Sequence, residues 1–110
     1  MTMTPMTAKA TTEISMGRCK LTAYCPCERC SGKFGRQTST GKTCRSGHTV
    51  AVDPDVIGYG TILLIGDTEY VAEDCGPGVV GDHIDIFFDT HDEVEGFGVK
   101  YKNVWITGRK

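Results

Sequence analysis

Short apolar runs separated by glycine constrain this chain more than any other feature. Fourteen glycines fall within 110 residues. Runs this short, bounded by turn residues, suit an all-β domain with many turns. The length favours one domain. A domain this small buries only about 60–70% of the surface its unfolded chain exposes, so its stability margin is thin. No run of about 18 apolar residues is present, so no transmembrane helix is expected. Basic and acidic side chains number 12 and 14, and a chain without a basic excess is a poor candidate for binding nucleic acid.

Alternation and turn signals place the elements. Residues 1–17 are rich in Thr, Met and Ala and read as a flexible lead-in, without the basic-then-apolar pattern of a signal peptide. Residues 18–110 read as the domain. Strands are expected at 18–24, 49–53, 61–65, 69–73, 83–88 and 102–107. Asp53-Pro54 ends the second strand, and Gly66-Asp67-Thr68 reads as a hairpin turn between the third and fourth. Gly76-Pro77-Gly78 makes the turn that leads to the fifth. Asp89 or Thr90 caps a short helix running to Phe97, with Glu93 in its first turn. Residues 31–47 form a long loop of a kind that often carries function. Six strands and one short helix predict a compact barrel, because closure hides the edges a small sheet must otherwise protect.

Within VAEDCGPGVVGDHIDIFFDTHD, residues 71–92, Asp85 stands between Ile84 and Ile86. Strand alternation puts Asp85 and Phe87 on one face and the two isoleucines on the other. Asp85 then either faces solvent or lies in a groove where burial and other carboxylates raise its pKa and make it a proton donor. Asp74 and Asp53 each end a strand, and each has an ordinary role as a turn former. His48, His83 and His91 read as surface or capping residues. Trp105, on the last strand, reads as core. No Ser-His-Asp order, P-loop or HExxH motif is present.

Six cysteines, at 19, 25, 27, 30, 44 and 75, are many for this length. An even count in a small domain points first to disulfides formed in an oxidising compartment. The cluster Cys25-Pro26-Cys27-Glu28-Arg29-Cys30 also looks like half of a zinc knuckle, with Cys44 or Cys19 as a fourth ligand. Free thiols are the third reading.

Four segments together resemble a known family. TSTG (38–41), HTVAVDPDVIGYGT (48–61), YVAEDCG (70–76) and GDHIDIFFDTHDEVEGFG (81–98) are similar to the 3D domain, whose three shared aspartates map to Asp53, Asp74 and Asp85. AYCPCERCSGKFG resembles the cysteine-bearing version of its Gram-positive members. The turn CGPGVVGD (75–82) stands where the family more usually has TGGAIKG, so a lysine-bearing turn becomes apolar. The resemblance implies a six-stranded double-psi β-barrel, related to the catalytic domain of membrane-bound lytic transglycosylase A, acting on peptidoglycan in the bacterial envelope. It implies a lytic transglycosylase that cleaves between N-acetylmuramic acid and N-acetylglucosamine and leaves a 1,6-anhydro end.

In that chemistry one carboxyl protonates the leaving oxygen and then takes the proton of the attacking muramyl 6-hydroxyl. By position Asp85 is that acid and base, with Asp74 as the neighbour that raises its pKa. Asp53 and Thr40 orient substrate or hold the carboxyl network, and Gly41 and Gly76 stand beside the substrate. No cofactor is needed and no catalytic metal is assigned; a metal, if bound, would be structural and sit at the cysteine cluster. The implied partner is the peptidoglycan glycan strand, met by an exported monomer in the wall or outside the cell. The alternative is a glycan-binding barrel without turnover, and a third reading makes the cysteine cluster itself the functional centre of a small zinc or thiol protein.

Overall fold

A computed structural model describes residues 14–31 and 35–109. Six strands form: β1 (Ile14–Tyr24), β2 (Thr49–Ala51), β3 (Thr61–Ile65), β4 (Thr68–Asp74), β5 (His83–Phe87) and β6 (Lys100–Arg109). They close into a barrel in the order β1-β5-β2-β4-β3-β6. β1 runs parallel to β5 and β2 parallel to β4, while the other pairings are antiparallel. This is the expected six-stranded double-psi β-barrel. Two short helices accompany it, α1 (Glu28–Ser31) and α2 (His91–Phe97).

Period-two patterning builds the interior. Along β3 the residues alternate between buried and half-buried, with Leu63 and Ile65 turned inward. Cys19, Leu21, Val50, Val52, Ala72, Ile84, Ile86 and Val104 complete the barrel core with them. Gly66 takes φ 62°, the sign a two-residue hairpin requires at its first position, and Ile65 pairs with Thr68 across it. Thr90 caps α2 through a capping box. Its hydroxyl accepts from the Glu93 N–H at 3.2 Å while the Glu93 carboxylate accepts from the Thr90 N–H at 3.2 Å.

Most strand boundaries differ from expectation: β4 by one residue at each end, β5 by one at its last residue, β6 by two at each end, and β1 and β2 for reasons the pairing shows. β1 begins at Ile14, not residue 18, because β6 is long enough to pair with it as far as Ile106, and a bulge between Ser15 and Gly17 breaks the alternation there. Residues 1–13 of the expected lead-in lie outside the described residues. β2 ends at Ala51 rather than residue 53, since the register with β4 shifts after Val50 and the chain turns at Asp53.

A second, smaller core lies on the outer wall of the barrel. Phe87 is fully buried there with Tyr24, Cys44, Ala51 and Val79. Tyr24 meets Phe87 edge-on at 5.3 Å between ring centroids, and Arg36 stands 5.6 Å from the centre of the Phe87 ring. Burying a side chain of this size contributes about 2–3 kcal/mol. Cys44 and Arg36 anchor the long loop to this second core, and the candidate site opens beside it.

Candidate active site

Asp53, Asp74 and Asp85 come together in one groove of about 1020 Å³. Its walls are the loop from Gly35 to Gly41 on one side and the turn from Gly76 to Val80 on the other. β2 forms the floor. Ala51 pairs with Asp74 on β4 and with Asp85 on β5, so the two carboxylates straddle it. Two strand spacings put their backbones about 10 Å apart.

The three carboxylates have different surroundings. Asp74 is buried and accepts four hydrogen bonds: from the Tyr24 hydroxyl at 3.0 Å, the Ser39 N–H at 2.9 Å, the Ser39 hydroxyl at 2.8 Å and the Cys75 N–H at 2.9 Å. Burial and the Asp74 carboxylate push the Tyr24 phenol far above its usual range, so Tyr24 is a fixed donor. Asp53 accepts from the Gly81 N–H at 2.9 Å and the Asp55 N–H at 3.0 Å. Those backbone bonds, Gly81's first, hold its carboxyl below the ordinary value. It pins the turn before β5 to the loop after β2.

Asp85 has fewer hydrogen-bond partners than Asp74 or Asp53. It lies on the outer face of β5 while Ile84 and Ile86 fill the barrel. Among the described residues its one side-chain donor is the Thr22 hydroxyl at 2.8 Å. Burial raises its pKa, the Thr22 bond and His83 work against that, and Asp74 adds a smaller upward push. Both causes expected from the sequence, burial and the neighbouring Asp74 carboxylate, act in that direction, with burial the larger.

Thr22 is within 2.7 Å of His83 Nε2 as well, and His83 Nδ1 is 3.1 Å from the Gly78 carbonyl. A carbonyl accepts only, so Nδ1 carries hydrogen there. When Asp85 is protonated, the bonds run from its O–H to the Thr22 hydroxyl and from that hydroxyl to Nε2. When Asp85 is ionised, the Thr22 hydroxyl donates to it. One hydroxyl thus accommodates both states of the carboxyl.

The model of the 3D domain family matches residues 48–108, more than half of the chain. The chain belongs to the 3D domain family. No curated protein matches. Among solved structures, the crystal structure of MltA from E. coli is similar at 24% identity and TM-score 0.55, over 67% of this chain and 28% of that one. The E. coli lytic transglycosylase MltA, as a point variant in its apo-2 form, is similar at 22% identity and TM-score 0.56, over 67% and 27%. A third structure, of MltA from Escherichia coli with its unique lytic transglycosylase fold, is similar at 22% identity and TM-score 0.55, over 67% and 28%. This 3D domain spans less than a third of those chains, and the likeness is one of fold.

Of the other residues singled out from sequence, Gly41 and Gly76 of the 3D domain line the groove. Thr40 does not. Its hydroxyl donates to the Glu73 carbonyl at 2.8 Å, and it borders a neighbouring cavity of about 570 Å³ with Lys42, Arg45, His48 and Glu73. Thr22, Tyr24, Ser39 and His83 were missed. His83 and Asp85 share a strand face, which sequence does signal, but Thr22 joins them only through parallel pairing of β1 with β5.

The cysteines stand as free thiols rather than disulfides. Cys19 lies in the barrel core, and Cys44 is buried with its Sγ 3.8 Å from the Tyr24 hydroxyl. Neither is near enough to complete the knuckle. Among the described residues no helix is long and apolar enough to cross a membrane.

Proposed function

We propose that this 3D domain is a peptidoglycan lytic transglycosylase with Asp85 as its single acid and base. The observation that carries the reading is a carboxyl whose pKa is raised by burial, set in an open groove shared with two carboxylates tied up by hydrogen bonds. The fold likeness to a lytic transglycosylase supports the same reading.

The glycan strand lies in the groove with the scissile oxygen at Asp85. Asp85 gives its proton to the N-acetylglucosamine O4 as the bond from O4 to the muramyl C1 breaks. The muramyl 6-hydroxyl closes on C1 and returns its proton to Asp85. The products are a 1,6-anhydromuramyl end and a free 4-hydroxyl, and the carboxyl is regenerated. An internal nucleophile replaces the activated water of a hydrolase, so a second catalytic carboxylate is unnecessary. Thr22 switches its hydrogen as the proton leaves and returns. Asp74 and Asp53 position the groove walls, and Gly41 and Gly76 leave room for the strand.

Incubation with purified sacculi, followed by mass spectrometry of the soluble fraction, tests this. The wild-type chain releases anhydromuropeptides. Asp85→Asn loses about 10²- to 10⁴-fold of that rate with its melting temperature retained. Co-sedimentation with sacculi and no soluble product would instead make the domain a glycan-binding module.

A further inference from the structure

Outside the groove, four chemistry-bearing side chains converge on one point. The sulfurs of Cys25, Cys27 and Cys30 and one ring nitrogen of His91 all lie within 4.8 Å of one another. Cys25 Sγ is 3.1 Å from Cys27 Sγ and 3.6 Å from Cys30 Sγ. His91 Nδ1 is 3.6, 3.4 and 3.6 Å from the sulfurs of Cys25, Cys27 and Cys30. We propose that these four residues bind one structural zinc ion as a Cys3His site.

The spacing supplies the first argument. Zinc bonds of about 2.3 Å to sulfur and 2.0–2.1 Å to nitrogen, at tetrahedral angles, put ligand atoms roughly 3.5–3.8 Å apart. The three contacts of His91 and the contact between Cys25 and Cys30 match that range within about 0.2 Å. The gap between Cys25 and Cys27 opens by roughly 0.7 Å on binding. Thiols are weak hydrogen-bond donors and acceptors, so contacts among themselves do little to hold three of them against an imidazole.

The surroundings supply the second. The other ring nitrogen of His91, Nε2, faces Glu95 Oε2 at 3.5 Å, one turn along α2. A carboxylate on the far nitrogen fixes the tautomer with Nδ1 free to ligate, the arrangement that supports metal-bound histidines. The loop is shaped for the same purpose. The Cys30 and Ser31 N–H groups bond the Cys27 carbonyl at 3.1 and 2.9 Å, and the Ser31 hydroxyl bonds the Cys25 carbonyl at 2.6 Å.

Three thiolates and an imidazole favour zinc over hard cations, and four protein ligands leave no open position for substrate. The ion therefore ties the segment after β1 to the start of α2. Cys30 and Ser31 also line the groove, so the site braces one groove wall. Binding displaces thiol protons and weakens as pH falls. Nothing in this inference depends on glycan cleavage.

The test uses the full chain purified under reducing conditions without chelator. Elemental analysis finds one zinc per chain. Cobalt in its place gives the intense visible bands of a tetrahedral ion and a thiolate-to-cobalt charge-transfer band. His91→Cys keeps a tetrahedral spectrum with its visible bands at longer wavelength and stronger charge transfer, His91→Ala and Cys27→Ser lose the tetrahedral bands, and Glu95→Gln weakens zinc binding on the order of tenfold. Because His91→Cys and His91→Ala differ at one atom set, they decide the matter even if Cys27→Ser does not fold. A metal-free chain whose cobalt spectrum is that of the hydrated ion, or peptide mapping that finds a disulfide among Cys25, Cys27 and Cys30, overturns the proposal.

Discussion

The groove and the cysteine–histidine cluster share a wall at Cys30, yet they are held together in opposite ways. In the groove, Asp53, Asp74 and Asp85 find their partners in the chain itself: hydroxyls, backbone N–H groups and a phenol. Among the described residues no buried side-chain nitrogen or oxygen lacks a partner. In the cluster, the four groups have chiefly one another and are completed by an ion. The groove therefore assembles with the barrel, whereas the cluster adds stability only when loaded. It follows that metal and carboxylates act on different observables, stability for one and chemistry for the other, with Asp74 as the carboxylate that crosses over.

Metal removal should have the largest effect. A ligand present at about a thousand times its Kd adds roughly 4 kcal/mol of stability, which in a domain of this size is on the order of 20 °C in Tm. Thermal melts with and without a strong zinc chelator measure it. A melting curve indifferent to chelation would place the cluster in the same class as the groove.

Asp74→Ala comes next. It leaves the Tyr24 hydroxyl, both donors of Ser39 and the Cys75 N–H without their acceptor. Abandoning one buried and three partly buried donors costs about 3 kcal/mol in sum, on the order of 15 °C in Tm. Asp85→Asn behaves oppositely. Burial raises the Asp85 pKa in the folded state, so its stabilising contribution is complete below the unfolded pKa and is lost as pH rises through the folded one. At neutral pH the Asn variant should melt at or above wild type, with the gap closing in acid. Equal Tm losses for the two variants would remove the distinction between a holding and a reacting carboxylate.

The fold was largely legible in the sequence. The limits of β3, the Thr90 cap and the facing of Asp85 opposite Ile84 and Ile86 follow from local patterning that tertiary contacts reinforce. What stayed hidden depends on which strands neighbour each other. Thr22 meets Asp85 through parallel pairing across 63 residues, and no periodicity reports that. His91 was passed over for the same reason. Its helix start reads as an ordinary cap, and only the packing of α2 against β1 brings it to the cysteines. Cys19 and Cys44 were the nearer candidates along the chain, but both are committed to buried apolar positions.

Thr22→Val gives a smaller, diagnostic effect. It keeps shape and removes the hydroxyl that holds Asp85 and meets His83. The Thr22 bond lowers the Asp85 pKa, so its loss raises it. A general acid must be protonated, and activity falls as pH rises through its pKa. The alkaline limb of kcat/KM should therefore move to higher pH, measured by rates of anhydromuropeptide release across pH.

Val80→Lys should produce the smallest change, of opposite sign. Val80 is 68% exposed on the turn that walls the groove, so the substitution stays within about 0.5 kcal/mol of wild-type stability. A cation there faces a groove whose charged lining is acidic, at Asp53, Asp55, Asp74 and Asp85. It favours the ionised form of Asp85, so the alkaline limb should move to lower pH. An exposed ammonium acts through solvent, and at about 1 M salt the screening length falls to roughly 3 Å. The Val80→Lys shift should then vanish, while the Thr22→Val shift, made through a direct hydrogen bond, should persist. If both variants moved the limb the same way, or if salt erased both, the titrating group would not be Asp85, and the groove's division into held and reacting carboxylates would have to be redrawn.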